Sequence, residues 1–278
     1  MKRQRQFVID ECEDIYAQEF QGSFDERGVR GERQKTITSG PIREVEVYPI
    51  FNDKEQIRRA KKSRESSVAQ KNLNAKNTRK RIVRLLNANF TKEDIWETLT
   101  YDNKHLPKDM KGAKHCLQNY LRRIAYWMKK KGLGELKYLY AIEYIDDGEE
   151  VRIHQHVVMN FPDRDVAEKL WKGGGRTQTR RLQPDDSEFE GLGRYISKSR
   201  SVKYEKTWAG SRNLKEPKIT VSDTAISRRR AKRLAMNYHE AAEYFERLNK
   251  GYTVIDFKTY VSDIVSGVYL YIKMRRRD

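Results

Sequence analysis

Lys137–Ile145 reads KYLYAIEYI, Val151–Phe161 reads VRIHQHVVMNF, and Asp146-Asp147-Gly148-Glu149-Glu150 lies between them. Both runs are rich in aromatic and β-branched residues, and the acidic stretch around Gly148 is turn chemistry, so together they read as a β-hairpin. Side chains alternate along a strand, so His154 and His156, which flank Gln155, emerge on one face. If the hairpin pairs Glu143 with His154, the carboxylate joins them there. A slip of one residue would turn it to the other face. Two imidazoles and a carboxylate with open positions suit a hard or borderline divalent ion, Mg²⁺ or Mn²⁺. Surface or core histidines account for most His-x-His pairs, and the plain alternative for Glu143 is an exposed strand carboxylate.

Upstream, Glu97–Tyr101 (ETLTY) reads as a short strand, and Asp102, Asn103 and Pro107 mark a loop. Ala113, Leu117, Tyr120, Leu121, Ile124, Trp127 and Met128 then recur at helical spacing, ending in Lys129-Lys130-Lys131-Gly132, a cationic last turn and a glycine stop. Downstream, Pro162 breaks the strand, Val166–Trp171 reads as a short helix and Gly173-Gly174-Gly175 as a flexible loop. The glycines lack the Gly-Lys-Ser/Thr ending of a P-loop, so ATP-driven chemistry is not expected.

Ser187–Ser199 (SEFEGLGRYISKS) reads as a helix, with Ser187 and Glu190 at capping-box spacing and Phe189, Leu192 and Ile196 as a narrow apolar stripe. Tyr195 and Lys198, three apart, share a face of it. A tyrosine hydroxyl can attack a phosphodiester when a metal polarises the phosphate and a cation offsets the developing charge. Lys198 is placed to be that cation. Gly191 and Gly193 are unusual inside a helix and suggest close backbone approach to DNA. A second Tyr-x-x-Lys, Tyr101 to Lys104, ends a strand before the histidines, so the later pair is favoured.

The 278 residues allow one or two domains with a real core. Lys plus Arg number 58 against 40 Asp plus Glu, a net +18, which favours a polyanionic partner because each neutralised phosphate releases a counterion. Charged residues reach 35%, so parts of the chain are read as solvated arms. Residues 51–88 hold 12 Lys or Arg against 3 Asp or Glu, a net +9, and read as a basic, partly helical arm on DNA backbone. Arg58, Arg59, Lys61, Lys62, Arg79, Lys80 and Arg81 are its candidate phosphate contacts, joined by Arg194 and Arg212 further on. A solvated helix is the bland alternative for any one of them. Only Cys12 and Cys116 occur, which is neither a disulfide framework nor a thiolate metal cluster. With no signal peptide expected after Met1-Lys2-Arg3 and no run near the roughly 20 apolar residues of a membrane helix, a cytoplasmic setting is expected.

A hairpin Glu143, then His154-x-His156, then a helical Tyr195-x-x-Lys198, in that order, resembles the HUH endonucleases. More narrowly, it is similar to the rolling-circle replication-associated proteins of bacterial phages, plasmids and integrative elements. Asn87–Phe90 with Thr98–Tyr101 resembles their first motif, and Trp208 with Ser211-Arg212-Asn213-Leu214 and Pro217 is also similar. The likeness covers roughly residues 70–220. Gln155 departs from it, since the strict pattern has a bulky apolar residue there; it faces away from the metal and bears on packing. The resemblance implies an α+β fold, a ferredoxin-like antiparallel sheet with helices packed on it, in a nicking domain at residues 89–220. Around it stand an N-terminal region of unknown role at 1–50, the basic arm at 51–88 and a basic C-terminal extension at 221–278 that completes the fold. It implies metal-dependent nicking and joining of single-stranded or origin DNA through a 5′-phosphotyrosine, with host polymerase and helicase as partners, no membrane and no ATP.

A single-tyrosine transposase or a relaxase would use the same chemistry. Relaxases usually place the tyrosine before the histidines, which disfavours them here. A non-enzymatic basic nucleic-acid-binding protein with an incidental His-x-His is the competing class, and metal-dependent strand cleavage discriminates the two.

Overall fold

The computed structural model describes residues 29–51, 68–146, 149–198, 207–260 and 267–277. In chain order they form β1 (Val29–Ser39), β2 (Ile42–Phe51), α1 (Val68–Asn89), β3 (Ile95–Tyr101), α2 (Met110–Lys131), β4 (Tyr138–Asp146), β5 (Glu149–Met159), α3 (Arg164–Leu170) and β6 (Gly174–Arg181). There follow α4 (Glu190–Lys198), β7 (Trp208–Gly210), β8 (Lys218–Ser222), α5 (Arg228–Met236), α6 (Tyr238–Leu248), β9 (Tyr252–Tyr260) and β10 (Tyr269–Arg276). The fold is α+β, with two antiparallel five-stranded sheets and six helices among the described residues.

The chain divides into two compact units, residues 72–217 and residues 1–71 with 218–278. The second has the sheet order β8-β1-β2-β10-β9, with α5 and α6 packed on one face through Leu234, Ala241 and Phe245 against Val45, Val47, Leu270 and Ile272. The segment 221–278, expected to complete the nicking fold, instead builds this sheet with residues 29–51. The reason lies in β2, whose backbone needs partners on both sides and finds them in β1 and β10.

In the unit 72–217 the sheet order is β6-β3-β5-β4-β7. Helix α2 has the expected terminators. The Asp109 carboxylate accepts from the Gly112 N–H at 2.7 Å, and Gly132 closes the helix at φ 68°, a left-handed conformation that glycine adopts without steric cost. Its apolar face packs on one side of the sheet, with Leu117, Tyr120 and Ile124 against Ile95, Leu99, Val157 and Met159. That alternation sends Trp96, Thr98, His154 and His156 to the other side.

The other side is covered at one end by α1 and α4. Ile82, Leu85, Leu86 and Ile196 pack on Leu139, Ala141 and Val158. The second half of α1 therefore differs from a solvated arm, because its i, i+3, i+4 apolar residues are core. Gly173–Gly175 is not a free loop. Gly174 opens β6 opposite Tyr101, and a Cβ on Gly175 would collide with the Thr100–Tyr101 backbone. Helix α4 begins at Glu190 rather than Ser187 and uses no capping box. The Ser187 N–H donates to Asp185, and the Asn87 side chain of α1 accepts from the Phe189 N–H at 3.1 Å. Glu190 pairs instead with Arg194, four residues on, at 2.8 Å.

Candidate active site

Strand pairing sets the first three side chains. Glu143 lies directly opposite His154, and Ala141 opposite His156, so the carboxylate and both imidazoles share a face. Glu143 Oε2 is 3.0 Å from His154 Nε2, and its Oε1 is 3.4 Å from His156 Nε2. One donor atom from each residue lies within 4.8 Å of the others, a spacing that could hold a metal ion. The far ring nitrogens are also engaged. His154 Nδ1 is 3.0 Å from the Arg152 carbonyl, which can only accept, so Nδ1 carries a proton and Nε2 is the atom turned to the site. His156 Nδ1 is 3.1 Å from Thr98 Oγ1, reached because β3 places Thr98 opposite His156. Such outer partners fix imidazole orientation for metal binding, so the donor set fits a divalent cation. Burial pushes the Glu143 carboxyl up, but hydrogen bonds from His154 and His156 and their charge outweigh it and hold the group down at about 2.

Helix α4 delivers the fourth side chain. The Tyr195 hydroxyl is 3.1 Å from His156 Nε2, and Tyr195 remains 45% exposed. The approach depends on close helix packing, because a Cβ on Gly193 would collide with the Val83 side chain of α1. Gly193 thus serves a helix contact rather than approach to DNA. Trp96 completes the setting. Its ring stacks on His156 with centroids 4.8 Å apart at 5°, and it meets the Tyr195 ring edge-on at 5.7 Å and 84°. Sequence reasoning does not single out Trp96 and Thr98 as site residues. The signal lies in β3 alternation, but using it requires knowing that β3 neighbours β5.

The remaining sequence candidates are distributed as follows. Lys198 ends α4, one turn beyond Tyr195, and its side chain lies outside the described residues. Arg58, Arg59, Lys61 and Lys62 also lie outside them. Arg79, Arg81, Arg194 and Arg212 are exposed and Lys80 is half-buried, with Arg81 paired to Glu216 at 2.8 Å. The rival tyrosine, Tyr101, is buried in the core under α2, where its hydroxyl accepts from the Gln155 amide at 2.6 Å and burial pushes its phenol up. Gln155 is itself fully buried and also donates to the Ala113 carbonyl of α2 at 2.7 Å, tying the histidine strand to that helix from behind. Downstream, Ser211 Oγ accepts from the Tyr138 N–H and Asn213 donates to the Leu136 carbonyl, so this segment braces the start of β4.

No helix among the described residues is long and apolar enough to cross a membrane. No curated protein and no solved structure matches the chain. Residues 94–201, which span the histidine pair, Glu143 and Tyr195, match the ORF2-type family of replication-associated proteins, consistent with a rolling-circle replication protein.

Proposed function

We propose that this protein is an HUH-type endonuclease and strand transferase that initiates rolling-circle replication of a phage, plasmid or integrative element from the cytoplasm, with Tyr195 as nucleophile. The observation that carries this reading is the Tyr195 hydroxyl at 3.1 Å from His156 Nε2, on the sheet face that also bears Glu143 and His154. An exposed phenol beside two imidazoles and a carboxylate, in a replication-associated segment, is an arrangement for phosphodiester transfer.

Glu143, His154 and His156 would hold a divalent cation, Mg²⁺ or Mn²⁺, and that cation when bound supplies charge stabilisation at the scissile phosphate. The chain's own residues do the rest. Trp96 and His156 fix the Tyr195 ring, so the phenolic oxygen meets the phosphorus from one direction. The Tyr195 oxygen–phosphorus bond forms as the bond from phosphorus to the 3′ oxygen breaks. The phenolic proton is lost, and the departing 3′ oxygen gains one. One phosphodiester replaces another, so no ATP is needed and reversal rejoins the strand. Lys198, on the same helix, offsets the extra negative charge of the transition state. The free 3′ hydroxyl then primes a host polymerase, with a host helicase opening the duplex. The basic residues Arg58, Arg59, Lys61, Lys62, Arg79, Lys80, Arg81, Arg194 and Arg212 neutralise phosphates of the origin DNA.

The test is incubation with Mn²⁺ and a labelled single-stranded origin library, followed by a denaturing gel and mass spectrometry. A covalent adduct mapping to Tyr195 is the expected result. Cleavage without an adduct, or an adduct at another residue, would overturn the assignment.

A further inference from the structure

The sheet face that carries the site is roofed by α1 and α4 at the Leu139–Val158 end only. At its open end three arginines project beside the metal-binding triad. Arg152 stands two residues before His154 on β5, hence on the same face, and is exposed. Its guanidinium is pinned by donating to the Tyr101 carbonyl at 3.0 Å and to Asn103 Oδ1 at 2.9 Å. On the edge strand β6, Thr179 points into the α2 side, where it bonds the buried Glu97. Its neighbours Gln178 and Arg180, and Arg176 two residues before Gln178, therefore point to the site side, and all three are exposed. Strand register gives their places. Gln178 lies opposite Thr98, which lies opposite His156, and Arg180 lies opposite Trp96. Two strand spacings, about 10 Å, separate β6 from β5.

The charge on this face is one-sided. Among the described side chains from Trp96 to Thr100, Leu139 to Glu143, Arg152 to Val158 and Arg176 to Arg180, those projecting here include one carboxylate, Glu143 itself, against the three arginines.

We propose that Arg152, Arg176 and Arg180, with Gln178 between the last two, form the phosphate track that holds the nucleotides flanking the scissile bond. The occupant is a single DNA strand lying across β5, β3 and β6. Each guanidinium matches a phosphate in shape and charge, whereas the flat open sheet offers no groove for a protein side chain. Arg152 retains N–H groups beyond the two that anchor it, so it reaches a phosphate without first losing mobility. Because phosphate contacts carry no base information, the track sets strand path and affinity rather than sequence choice. This inference rests on the reading that single-stranded DNA is the substrate.

The experiment uses the full chain carrying Tyr195→Phe, so that binding is read without cleavage. Fluorescence anisotropy with labelled oligodeoxynucleotides of unrelated sequence is measured over a salt series for this parent, for R176Q/R180Q and for R152Q. A control, R122Q/K129Q, removes two exposed cations from α2 on the opposite side of the sheet. Expected is weaker binding by the track variants for every sequence, with the slope of log K against log salt reduced by about 0.7 for each phosphate no longer neutralised. The control should match the parent. Track variants that keep the parent's affinity and slope, or a control weakened as much as they are, would overturn the track while leaving the nicking assignment standing. A parent that binds no single-stranded DNA overturns both. Circular dichroism of each variant separates a weakened grip on phosphate from a damaged fold.

Discussion

The Tyr195 hydroxyl lies 3.1 Å from Nε2 of His156, although the two residues are 39 positions apart and sit on different elements. The same nitrogen is 3.4 Å from Glu143, so the phenol stands at the edge of the donor cluster rather than apart from it. Tyr195→Phe keeps the ring contacts with Trp96 and His156 and removes one half-exposed oxygen, so melting temperature should change little. Adduct formation and nicking should vanish while DNA binding persists. Tyr101→Phe should retain cleavage, because that hydroxyl is buried behind the sheet. An adduct surviving in Tyr195→Phe would defeat the mechanism.

Thr98 holds the far nitrogen of His156, and Thr98→Val removes that partner with almost no change of shape. Mn²⁺ affinity, measured by calorimetry, should fall by about 10–100-fold, as for other outer partners of metal-binding histidines. Thr98→Ser should restore most of it. Equal affinity in the valine variant would leave Thr98 with a packing role only.

Glu97 is fully buried on the α2 side, where the Tyr120 and Thr179 hydroxyls donate to it. Burial outweighs these bonds and pushes its carboxyl up to about 7. The folded state thus holds the proton more tightly than the unfolded chain does. The stability this contributes is complete below the unfolded value of 4.5 and is lost as pH rises through about 7. A shift of that size corresponds to about 3 kcal/mol. Urea melts across pH 5–8 should therefore show wild type losing stability relative to Glu97→Gln, which cannot titrate. A difference between the two that stays flat with pH would refute the assignment.

Leu86 is fully buried where α1 crosses the sheet. Leu86→Ala should cost about 2–5 kcal/mol, the range for truncating a large aliphatic core residue. Arg79→Ala, on an exposed position of the same helix, should cost under about 0.5 kcal/mol. Deleting residues 51–88 should consequently destabilise the whole 72–217 unit, so an arm deletion that folded normally would contradict the packing of α1.

Periodicity makes the strongest elements legible without a structure. Alternating apolar residues and an acidic turn delimit the β4–β5 hairpin, and its one register that places a carboxylate beside His154 is the register found. The heptad-like stripe, aspartate and glycine of α2 are likewise local signals, because backbone hydrogen bonds and caps are satisfied within a few residues of where they are encoded. Strands β1, β6 and β9 are not legible in the same way. Their sequences carry charges and glycines that fit a strand only once an edge partner is present, as β6 shows beside β3.

By itself, then, the sequence determined which side chains could do chemistry and which of them share a strand face or a helix face, since those periods are properties of the backbone. Tertiary structure alone decided which elements become neighbours. It placed α1 in the core instead of in solvent and put Trp96 and Thr98 behind His156. It also joined residues 29–51 to the C-terminal segment in a second sheet and turned Tyr195 toward His156 while burying Tyr101. Those outcomes rest on pairing and packing between segments tens of residues or more apart. No local period encodes them, because the free energy that selects them comes from apolar surface and backbone groups satisfied only on contact.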